Sequence, residues 1–87
     1  MPRDDYEPAT EQSVADLRQA IELLDAFPTM FCATLDQAAL TKAALERWAW
    51  MGNIEVDLMN RTGGPEMIRL AREINRIGKE SGLTCSK

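Results

Sequence analysis

The sequence predicts an all-α fold: a three-helix bundle with a long central helix, built to assemble into an oligomer. Two observations lead there. Apolar residues recur at helical spacing in three segments bounded by proline and glycine, and no run alternates as a half-buried strand would. The middle segment is apolar around most of its circumference, which one neighbouring helix cannot cover. A chain of 87 residues buries only about 60–65% of the surface its unfolded form exposes, so its core is marginal without a staple, a metal or a partner.

Residues 1–9, MPRDDYEPA, carry two prolines and three acids and read as a flexible acidic arm. Residues 10–87 form a single helical domain. The first helix spans about 10–27, with Thr10 or Ser13 as its cap. Val14, Leu17, Ile21 and Leu24 make one apolar seam, and Pro28 ends it by pushing Phe27 out of the helical region. PTMFCAT follows as an apolar connector, with Met30 and Phe31 expected to plug one end of the core. The second helix is expected over 35–61, capped by Thr34 with Gln37, and would run about 40 Å. Lys42, Glu46, Asn53, Asp57 and Asn60 form its narrow polar stripe. Gly52 falls on the apolar arc and marks close helix approach or a kink. The third helix opens at Gly63-Gly64-Pro65, with proline suited to the first turn and Glu66 to the helix dipole. Gly82 is placed for a left-handed cap, with Leu83 folding back onto the helix.

Composition narrows the function classes. There is no histidine, so the commonest general base is missing, and the two cysteines lie far apart with no metal-binding spacing. TGGP lacks the Lys-Ser/Thr of a phosphate loop. The expectation is a chain with no catalytic residues, no cofactor and no metal. A reducing compartment is the simpler setting for the thiols, and no apolar run reaches the ~20 residues needed to span a membrane. The net charge of −4 is unevenly spread: residues 1–62 carry a net −6 and residues 63–87 a net +2.

That basic end is a stripe. Arg69, Arg72, Arg76 and Lys79 share one side of the third helix and could contact the phosphates of a nucleic acid. They could equally be a solvated face, because Glu73 and Glu80 stand at ion-pairing distance from Arg69 and Arg76. On the second helix, Trp48, Trp50, Met51, Glu55, Leu58 and Met59 form the expected protein interface. Trp50 falls on the polar stripe and would be exposed in an isolated chain, where tryptophan commonly anchors interfaces. Glu55 points into the apolar arc and needs a partner: Arg47, an arginine of the third helix, or a charge on another subunit. Met30, Met51, Met59 and Met67 also suit core filling.

MIRLAREINRIGKESGLTCSK (67–87) resembles the C-terminal part of phage terminase small subunits, with Ile68, Ala71, Ile74 and Ile77 on the helix and Gly82-Leu83-Thr84 after it. LDQAALTKAALERWAWM (35–51) is similar to the long helix that precedes it in that family, so the resemblance covers residues 35–86. Cys85 stands where the family commonly has proline, the tail is cut to Ser86-Lys87, and an acidic arm replaces the basic N-terminal stretch. The resemblance implies a non-enzymatic homo-oligomer in the cytoplasm of a bacterial host. Such a protein recognises double-stranded viral DNA and regulates a large terminase subunit that holds the ATPase and nuclease chemistry. The rival expectation is a small acidic helical adaptor or inhibitor, a phage-encoded nucleic-acid mimic included, that grips a protein partner through its arm and Trp50 and binds no nucleic acid.

Overall fold

The computed structural model describes residues 9–83. Most of the expected arm, residues 1–8, and the tail with Cys85 lie outside the described residues. Five helices follow in order: α1 (Glu11–Ala26), α2 (Pro28–Phe31), α3 (Leu35–Ile54), α4 (Val56–Arg61) and α5 (Gly64–Glu80). The all-α expectation holds, with no strand among the described residues.

Three long helices make the body, but the central one is α1 and not the second helix. α1 lies between α3 and α5, which touch each other only sparingly. Its position follows from its own residues. Val14, Leu17, Ala20, Leu23 and Leu24 are all buried, and together they span enough of the helix circumference to meet two neighbours. α1 is capped by Thr10, whose hydroxyl accepts from the Ser13 amide at 3.2 Å while the Thr10 amide donates to Ser13 Oγ at 3.1 Å. Ser13 is therefore the third residue inside the helix, and it is fully buried. Ala9, counted with the arm by its sequence, is also buried, and its amide donates to Asn60 Oδ1.

The expected 35–61 helix is broken. Glu55 is extended, at φ −155° and ψ 98°, ending α3 and starting α4. The local run Gly52-Asn53-Ile54-Glu55-Val56 holds a glycine, an asparagine and two β-branched residues, all poor helix formers. The break lets α4 fold back under α3, so that Met59 is fully buried between Gly52 and Gly64. A side chain at Gly52 would stand 2.6 Å from Val14 Cγ2 and 2.5 Å from Met59 Cε, which is why α1 and α4 both need a glycine there. Met30 is about half exposed and does not plug the core; Phe31 packs against it. At the far end, Gly82 adopts the left-handed φ of 75°, and the Leu83 amide reaches back to Gly78 O at 2.8 Å. Leu83 then packs on the core as expected.

Candidate functional site

Two surfaces look outward from the bundle, one on α5 and one on α3. No helix among the described residues is long and apolar enough to cross a membrane, and no cluster of potential metal ligands occurs among them.

The α5 surface carries the basic stripe. Its four cations do share one side of the helix, yet Arg72 and Arg76 are engaged by carboxylates of the chain itself, and Arg69 is not without a partner either. Arg72 Nε donates to Asp16 Oδ2 of α1 at 3.1 Å, and the Asp16 side chain is only 17% exposed. Arg76 holds both neighbouring carboxylates, Glu80 at 2.9 Å and Glu73 through a short contact. Hydrogen bonding to Glu73 and Glu80 raises the guanidinium well above its ordinary range, and the Arg76 hydrogen bond pulls the Glu73 carboxyl below its own. Arg69 and Lys79 are exposed. Beside the stripe, α1 and α5 leave an open groove of about 480 Å³ lined by Asp16, Leu23, Arg72, Asn75, Arg76 and Lys79. Asn75 ties its two walls by donating Nδ2 to Asp16 O at 3.0 Å, while its Oδ1 is buried without a hydrogen-bond partner.

The α3 surface is apolar. One side of the helix packs inward through Ala38, Leu45, Ala49 and Gly52. The other side leaves Leu40 72%, Trp50 65% and Ile54 63% exposed, with Leu35 beside them at 64%. Ala39, Ala43, Glu46 and Arg47 fill the spaces between, all exposed. The Arg47 guanidinium lies 5.9 Å from the centre of the Trp48 ring, which fixes it along the edge of this face.

The six residues expected at an interface divide between inside and outside. Trp50 is outward and open, as its place on the polar stripe implied. Trp48 is half-buried against the core, Met51 and Leu58 are half-buried, and Met59 is wholly inside. Glu55 needs no buried partner. The break turns it to solvent, and it forms no salt bridge among the described residues. Sequence reasoning missed Leu40 and Ile54 because it gave the second helix two neighbours. Their signal was present as the 3-4-3-4 spacing of Leu40, Ala43, Arg47, Trp50 and Ile54. It also missed Asp16, since a contact 56 residues away leaves no local pattern.

No family model matches the chain, and neither a curated protein nor a solved structure matches it. The terminase resemblance thus stands on its own residues alone, and the functional reading rests on the two surfaces.

Proposed function

We propose that this chain is a non-enzymatic helical subunit that acts by protein–protein contact through the outer face of α3. The supporting observation is the cluster of Leu40, Trp50 and Ile54 left open on a single helix face. Scattered exposed apolar residues are ordinary, but several large ones sharing one helix face are characteristic of a contact surface. Full burial of each side chain is worth about 1.5–3 kcal/mol, which gives a partner something to gain. Aromatic residues such as Trp50 are the usual anchors of such contacts. The test is affinity purification of the tagged chain from cells that encode it, wild type beside Trp50→Lys plus Ile54→Lys. A protein retained by the wild type and lost by the variant supports the reading; identical retention contradicts it.

A second reading, an oligomeric DNA-packaging small subunit partnered by a large terminase subunit and double-stranded DNA, is favoured by Arg69 and Lys79 on the open edge of α5 and by the resemblance over 35–86. Arg72 and Arg76 are poor probes of it, because replacing them also breaks contacts to Asp16, Glu73 and Glu80. The informative variant is Lys79→Gln, on the exposed end of the stripe. Loss of duplex affinity with a shallower salt dependence supports DNA contact through this edge; unchanged binding removes it.

A further inference from the structure

We draw no further inference here: the strongest candidate, the outer face of α3 that leaves Leu40, Trp50 and Ile54 exposed, belongs to the contact surface already described, and nothing in the structure shows what covers it.

Discussion

α3 and α5 flank the same helix and each turns one face outward, but the two faces are opposite in kind. The outer edge of α5 is charged, and its central arginines are satisfied by Asp16, Glu73 and Glu80 of the same chain. The outer face of α3 is apolar, with Leu40, Trp50 and Ile54 open. Folding alone accounts for much of the first: amphipathic patterning, capping and i,i+4 pairing give a helix that needs nothing further. It does not account for the second, because nothing within the described chain covers that face. A face left unexplained by folding is the better place to look for function.

Substitutions can break this contrast at several strengths. The largest effect is expected on the inner side of α3. Leu45 is fully buried, so Leu45→Ala should cost about 2–5 kcal/mol in urea unfolding. Gly52→Val should also destabilise, by about 1–3 kcal/mol or more, because its side chain would meet Val14 and Met59. On the outer side of the same helix, Trp50→Lys should leave the unfolding midpoint of the dilute chain nearly unchanged and still abolish association. If Trp50→Lys destabilises the monomer as Leu45→Ala does, the face is part of the core and the contrast collapses.

Smaller effects sharpen the α5 side. Arg72→Met removes a charge-assisted hydrogen bond to a largely buried Asp16 and should cost about 1–2 kcal/mol in the same assay. The Arg76 pairs sit in solvent, where screening leaves such contacts little influence, so Arg76→Gln should not measurably move the midpoint. The smallest effect is in acid. The Glu73 carboxyl is lowered by Arg76, so its pairing contributes above the carboxyl's unfolded-state pKa and is lost as pH falls through the lower folded-state value. An NMR titration should find Glu73 below the usual carboxylate range, and Arg76→Gln should return it.

The parts of this molecule that were legible in the sequence are those written locally. The α5 cassette could be read from Gly63 to Leu83, since proline start, apolar period, glycine stop and leucine clasp are all short-range signals. The Arg76 pairs were visible for the same reason. The rank of the helices was not. A wide apolar arc on the second helix says only that something must cover it, and it was the tightly buried α1 that took the central place. The break at Glu55 was half visible: Gly52 was marked as a kink or a close approach, and it serves the approach while the run after it ends the helix. Because that break was unread, Glu55 was expected inside when it lies outside, and Met59 was placed at an interface when it lies in the core.

The central claim is that the outer face of α3 is a contact surface, and Trp50 reports on it directly. In a Trp48→Phe chain the remaining tryptophan emission comes from Trp50, and its access to a neutral quencher can be followed from nanomolar to high micromolar protein. If copies of the chain meet there, quenching should be near that of a free tryptophan when dilute and fall steeply as concentration rises, with a blue shift in emission. Quenching that stays high and unshifted at every concentration, in wild-type sequence and in Ile54→Lys alike, would contradict contact between copies through this face; a chain whose Trp50→Lys plus Ile54→Lys variant retains the same proteins as wild type would contradict contact through it altogether.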